Sequence, residues 1–510
     1  MFDSLFILYS FLYFSLFFYT TKTIAYKGSD PFVHLIFIDT IKRNNHKLIY
    51  NFPRVLDKQP LGYPVYLHKF LSYFSINFSK NIASIIINPL FNTLILIILY
   101  LFLNSLGFTK VNSLIIVIFY SLIPQLHHSS NTRLLGLTAR SIGLFYFICF
   151  TIFFYFYNLS DNKIFYFLLL IFICILILGT SKFTQQSLFF IYSIYSIISN
   201  NYIFFLIFTI SLLFFFLLHP KYSINYFIGL YNHYYVYATF LYKPALLSYR
   251  YSIWRDLFFD IWVKLKIDFK KGIYYIYHNS IIIILFLSPL FFVLIKSSIL
   301  DSKFDFFLEI IFSTTTVFIL TTFRKTRFLG EPERYIEYVL PFLSIIFYEL
   351  YSNNLLFSIL LCFYIIVNIF QYYFFFYLRF VKPQKLVHKL DTYFDNIINK
   401  FSLNKLTNIK LLSNNLEFTR FFFKLNWIFV YWWNSSLLFH GYHIKEIFNK
   451  WPFLNNSKLY SIINNNNIDI VIIDKSNKEY LYDLISFLNN LYSTLFEDEH
   501  IIIYYKKGIL

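Results

Sequence analysis

Long apolar stretches punctuated by short polar breaks dominate the first three quarters of the chain. A helix needs about 20 residues to cross a hydrocarbon layer roughly 30 Å thick. Eleven segments approach that length, at 4–21, 84–106, 111–125, 141–158, 164–180, 187–199, 202–218, 279–297, 305–321, 336–350 and 355–378. Those at 111–125, 187–199 and 336–350 are short enough to be re-entrant. The first has no basic n-region and no small-residue cleavage site, so it reads as an anchor and not as a removable signal peptide.

The connections alternate in character. After even-numbered segments they are minimal, as at Gly107–Lys110, Ser160–Lys163 and Tyr351–Asn354. After odd-numbered segments they carry the charge: 22–83, 126–140, 181–186, 219–278, 322–335 and the tail. Consecutive spans reverse direction, so every chemically rich loop is expected on one membrane face. Beyond Pro383 the pattern changes. Ile468–Ile473 is a β-branched run, Lys478–Tyr492 has helical spacing, and Ile501–Tyr505 reads as a second strand. The division expected is therefore a transmembrane domain over 1–380, with long loops 22–83 and 219–278, and a soluble C-terminal α/β domain over 381–510.

Composition sharpens this picture. With 58% hydrophobic and 14% charged residues over 510 positions, the chain is a polytopic α-helical membrane protein by content. Intrinsic disorder and a compact nucleic-acid-binding domain are both excluded by those figures, although the net charge is +18. That charge falls mainly on the long loops and the tail, as a one-sided field suited to anionic lipid phosphates. The aromatic fraction of 24% follows an AT-rich codon bias and carries little functional weight. The 3 cysteines, Cys149, Cys174 and Cys362, sit singly in apolar runs and suggest neither disulfides nor a metal centre.

Candidate chemistry is confined to the loops. Asp30 follows the first span in SDPFVHL, and His34 at i+4 shares its helical face if a helix starts at the Asp-Pro step. Asp30 then serves either as a helix cap with Pro31 in the first turn, or as a general base or metal ligand at the membrane surface. Pro60, Gly62 and Pro64 impose a rigid bend before His68 and Lys69. The second loop holds His127, His128, Arg133 and Arg140; anion contact by the arginines is favoured over metal binding by adjacent histidines, which point apart on a helix. Lys182, Gln185 and Gln186 are costly at the end of an apolar segment unless they face a cavity. FRKTRFLGEPERYIEY concentrates Arg324, Lys325, Arg327, Glu331, Glu333, Arg334 and Glu337, where arginine forks suit phosphate oxygens and a salt-bridge cluster at a helix entry is the plainer alternative.

SDPFVHL with IKRNNHKL, then PRVLDKQPLGYPVYLHKFL, TRLLGLTARSIGL and LGEPERYIEYVLP, resembles blocks of bacterial GT-C fold integral-membrane glycosyltransferases over residues 1–380. Where relatives carry Pro-Pro, this chain has Pro64-Val65. The resemblance implies sugar transfer from a polyprenyl-phosphate-linked donor to a glycan, lipid or protein acceptor on the non-cytoplasmic face of a bacterial inner membrane. Asp30 would act at the acceptor or at a divalent cation such as Mg or Mn, with His34 beside it. Arg133, Arg140, Lys182, Arg324 and Arg327 would hold the lipid phosphate, joined in substrate binding by Gln185 and Arg334. Glu331, Glu333 and Arg334 would border the sugar pocket. Neither nucleic acid nor an obligate protein partner is implied, and membrane lipids surround the whole. The positive-inside tally points the loops the other way; the family layout is adopted because arginines committed to a phosphate need not report topology. A lipid-linked oligosaccharide flippase or exporter, or an O-antigen-type polymerase or ligase, is the alternative reading.

Overall fold

The computed structural model describes residues 1–24, 30–54, 60–128, 136–236, 261–269, 272–273, 276, 279–297, 300, 302–323, 326, 329–373, 392–414, 425, 427–429, 456–475 and 481–508. Among the described residues it is 75% helical, with a small C-terminal sheet. By compactness it divides into two units. The first comprises the described parts of Met1–Lys42, Pro64–Pro220 and Tyr249–Gln384. The second comprises those of Arg43–Tyr63, Lys221–Ser248 and Lys385–Leu510.

In the first unit every expected apolar segment carries helix, and among the described residues 6 helices are long and apolar enough to cross a membrane. They are Phe2–Lys22, Ile76–Ser105, Arg140–Leu159, Lys163–Thr180, Ser302–Thr322 and Leu355–Tyr373, or up to 7 if Ile203–Leu218 and Pro220–Asn232 form one broken span. The count of eleven is not confirmed by helix length among the described residues, for local reasons. Ser288 and Pro289 divide the 279–297 segment into Ser280–Leu287 and Leu290–Lys296, since proline supplies no donor to continue the ladder. Lys110–Ser121 and Leu340–Tyr351 are each 12 residues.

Without a hydrophobic drive between helices in lipid, packing rests on close approach and dispersion. Phe119 stacks on Phe347 at 5.0 Å between ring centroids and lies 5.7 Å from Tyr364. Two glycines let side chains of neighbouring segments pack against the helix backbone: a Cβ on Gly143 would lie 2.1 Å from Thr184 Oγ1, and one on Gly179 would lie 2.1 Å from the Tyr66 ring. The ends of this bundle differ. At one, the Asp3 carboxylate accepts from Tyr100 OH at 2.9 Å and from Lys110, while Asn201 donates to Asn158 at 3.3 Å. At the other, residues in or beside the short charged connections meet: Phe17 packs on His127 at 5.5 Å, Asn88 Nδ2 donates to Gly136 O at 2.6 Å, and Gln125 Nε2 donates to Glu333 O at 2.7 Å.

The second unit contains a 5-stranded sheet of order β2-β1-β3-β5-β4, with β1 Lys410–Ser413, β2 Ile428–Phe429, β3 Ile470–Asp474, β4 Tyr492–Glu497 and β5 Ile501–Lys506. β1 runs parallel to β2 and β3, whereas β5 is antiparallel to β3 and β4. β3 is buried along its length, as a central strand covered on both faces should be. Its Ile470 and Ile472 join Leu411, Trp427, Ile501 and Ile503 in one core. The bend at Pro60–Gly62 belongs to this unit. Leu61 N donates to Tyr50 O at 2.8 Å, and a Cβ on Gly62 would fall 2.3 Å from the Gly229 carbonyl carbon. Arg54 Nη1 reaches Leu425 O at 3.1 Å, so first-loop residues are tied directly to the tail.

Candidate functional site

The loop-bearing end of the helical unit is built by four segments far apart in sequence. The Arg140–Leu159 helix starts at Arg140. The expected 181–186 loop is instead the opening of the Lys182–Ile198 helix, with Ser181 Oγ capping Thr184 N at 3.4 Å. Lys182, Gln185 and Gln186 therefore project from a helical first turn, where a serine cap satisfies one of the orphan donors. Glu333–Glu337 forms a short helix directly after Pro332, so Glu333 and Glu337 stand at its two ends. Asn279 caps the helix that begins at Ser280.

These pieces interlock through polar contacts. Thr184 Oγ1 and Tyr338 OH are 2.9 Å apart. Gln186 Nε2 donates to Leu329 O and to Tyr335 OH, and Tyr335 OH donates to Leu329 O at 3.1 Å. Gly330 takes a φ of +127°, and a Cβ there would lie 2.8 Å from the Phe183 ring. That ring also packs 5.0 Å from Tyr335 and 6.0 Å from the Arg334 guanidinium.

Two carboxylates two positions apart sit in different environments. Glu331 Oε2 is ion-paired with Arg334 Nε at 2.5 Å. Glu333 is buried, accepts from the Ser280 hydroxyl, and is pushed above the usual carboxylate range by burial first and by Glu331 second. Environments that separate two carboxyl groups in this way distinguish a charged partner from a proton carrier. Desolvation holds the Lys182 ammonium well below its ordinary range, a penalty that an incoming anion would relieve.

Asp30 opens the Asp30–Arg43 helix, as the Asp-Pro step predicts. His34, one turn on, is buried and its Nδ1 lies 2.7 Å from His68 Nε2. Phe37 closes edge-on against both rings, at 6.5 Å from His34 and 5.2 Å from His68. Burial, then the field of Arg140, pushes His34 down to about 3. Burial and His34 likewise hold His68 well below its ordinary value. A neutral imidazole pair next to Arg140 follows, with one N–H donated between the rings. His127 is engaged structurally: its Nε2 meets Ser121 O at 2.7 Å and its Nδ1 meets Tyr372 OH at 3.1 Å.

Of the sequence-predicted residues, Arg140, Lys182, Gln185, Glu331, Glu333 and Arg334 occur in segments that meet at this end, and His34 lies close enough to Arg140 to feel its charge. Arg133, Arg324 and Arg327 lie outside the described residues. Among the described residues no three His, Cys, Asp or Glu side chains group to hold a metal ion. Sequence reasoning missed Gln125, Ser280, Tyr335 and Tyr338. The tyrosines carry an i, i+3 signal in ERYIEY, whereas nothing local marks Gln125 or Ser280. No protein-family model matches the chain, and no curated protein matches it significantly.

Proposed function

We propose that this protein is an integral-membrane glycosyltransferase of GT-C type, moving a sugar from a polyprenyl-phosphate-linked donor to an acceptor hydroxyl or amide on the non-cytoplasmic face of a bacterial inner membrane. The observation that supports the reading is that the segments carrying Arg140, Lys182, the Glu331–Arg334 pair and the buried Glu333 meet at one end of an apolar helical unit. Charge placed at membrane depth is retained chiefly for function.

In the proposed step the acceptor heteroatom bonds to the anomeric carbon, the bond from that carbon to the phosphate oxygen breaks, and the lipid phosphate leaves with the electron pair. The acceptor proton passes to a carboxylate, for which Asp30 and Glu333 are the candidates. Arg140 and Lys182 stabilise charge growing on the phosphate, and Arg334, held by Glu331 and Phe183, borders the sugar. Transfer of labelled sugar from a polyprenyl-phosphate donor in membranes tests this. Activity lost in Arg140→Ala supports it, and an Arg140→Ala protein that transfers at the wild-type rate contradicts the phosphate assignment.

A further inference from the structure

The loop-bearing end holds a second polar feature that the transfer chemistry does not use. The helix Leu355–Phe370 continues through residues 371–373 as a wide π turn, a geometry that recurs at functional sites. This stretch runs along the segment from Phe119 to His127. Tyr364 packs on Phe119, Asn368 Nδ2 donates to Leu122 O at 2.7 Å, and Tyr372 OH meets His127 Nδ1 at 3.1 Å. Gln371 lies between these anchors and is 2% exposed, and Gln125, in the turn opposite, is 1% exposed.

The amide groups of this region are incompletely matched. Gln371 Oε1 and Nε2, Asn368 Oδ1 and Gln125 Oε1 are all buried and have no hydrogen-bond partner among the described residues. Buried amides are normally satisfied, and leaving them open costs stability. Glutamine and asparagine at such positions therefore call for a ligand. Its chemistry follows from the open atoms, three acceptors and one donor. Phosphate offers acceptors only and would face three amide oxygens. A bare cation would be opposed by the Gln371 amide N–H. Vicinal hydroxyls, each able to donate and accept, match both kinds of atom.

We infer that Gln125, Asn368 and Gln371 form a binding site for an uncharged, hydroxyl-rich ligand of the sugar class. The site deepens the transfer reading and rests on it for its biological purpose, because Gln125 donates to the backbone of Glu333 through the same amide whose oxygen stays open. Binding itself is testable without transfer.

The experiment uses the full-length protein in nanodiscs, titrated with a panel of methyl glycosides and their N-acetyl counterparts, with inorganic phosphate, sodium and calcium as controls. Thermal shift and calorimetry are the readouts. At least one glycoside is expected to stabilise the protein saturably, and Gln371→Met and Asn368→Leu are each expected to weaken that binding by about tenfold, the worth of roughly one hydrogen bond. Gln371→Met removes only atoms that bond to no described residue, so its melting temperature without glycoside should equal or exceed that of wild type. The site is overturned if no glycoside binds, if binding survives both substitutions, if phosphate or calcium stabilises in place of glycosides, or if Gln371→Met is destabilised. Glycoside binding without any transfer activity would sink the reaction and leave the site. Sugar transfer by a protein that binds no glycoside in the titration would do the reverse.

Discussion

Ser280 and Glu333, 53 residues apart, meet in a hydrogen bond in which the serine hydroxyl donates to a buried carboxylate. Burial raises the proton affinity of Glu333 more than this donor lowers it. The native state therefore holds the Glu333 proton more tightly than the unfolded chain does. Its stabilisation is complete below the ordinary glutamate value of 4.5 and is lost as pH rises through the folded-state value. Glu333→Gln, which keeps the shape without the charge, should match wild type in acid and melt at a higher temperature as pH rises. Melting curves in nanodiscs from about pH 4 to pH 9 check the sign; parallel curves for the two proteins would contradict it.

The His34–His68 pair gives the opposite slope. Both imidazoles are depressed by burial, so native stability is full above the ordinary histidine value of 6.5 and falls as pH drops toward about 3. Each histidine contributes up to about 1.4 kcal/mol per pH unit in that window. In His34→Gln, acid sensitivity between these limits should be shallower than in wild type. Breaking the 2.7 Å bond should also cost about 1–3 kcal/mol at neutral pH. Unfolding followed by intrinsic fluorescence at several pH values separates the two effects.

Much of this arrangement was written locally in the sequence, and the remainder lies in long-range pairing. Helix was legible at every apolar segment because periodicity is a local property, and the Asp30 helix start follows from one dipeptide. β3 and β5 were visible as β-branched runs. β1 and β2, at 4 and 2 residues, are too short to leave a pattern. β4 begins at Tyr492, directly where the preceding helix Leu481–Leu491 ends, so its start was absorbed into the helical spacing. The break at Ser288-Pro289 was not legible because it looks like one more pair of small residues inside an apolar run. The bonds from Gln125 to Glu333 and from Ser280 to Glu333 join positions with no shared periodicity, which is why nothing local marked these neutral residues.

The Glu331–Arg334 pair is screened from solvent, with side-chain exposures of 12% and 15%. Arg334→Gln leaves Glu331 charged and partly desolvated and should destabilise the protein by roughly 1–3 kcal/mol. Glu331→Gln together with Arg334→Gln should recover part of that loss. A double-mutant cycle by thermal or urea unfolding is expected to give a coupling of about 0.5–3 kcal/mol; a coupling near zero would remove the pair from the account.

Helix approach at the site depends on two missing methyl groups. A Cβ on Gly143 would fall within 2.1 Å of Thr184 Oγ1, and one on Gly179 within 2.1 Å of the Tyr66 ring. Gly143→Ala and Gly179→Ala should each cost about 1–3 kcal/mol through overpacking. The same change at Gly107, which has open space around it but a φ of +85°, should act through backbone strain alone. Melting temperatures of the three variants, measured in one lipid, compare packing against conformation.

The central claim is sugar transfer at the loop-bearing end, and the most direct measurement is the rate of labelled-sugar transfer from a polyprenyl-phosphate donor by purified protein in proteoliposomes. Wild type should transfer. Asp30→Asn or Glu333→Gln, whichever residue receives the acceptor proton, should fall by about 10²–10⁴-fold, the usual range for a general base, with folding confirmed by melting. Wild-type protein that transfers no sugar from any such donor, or undiminished transfer in both variants, would contradict the account.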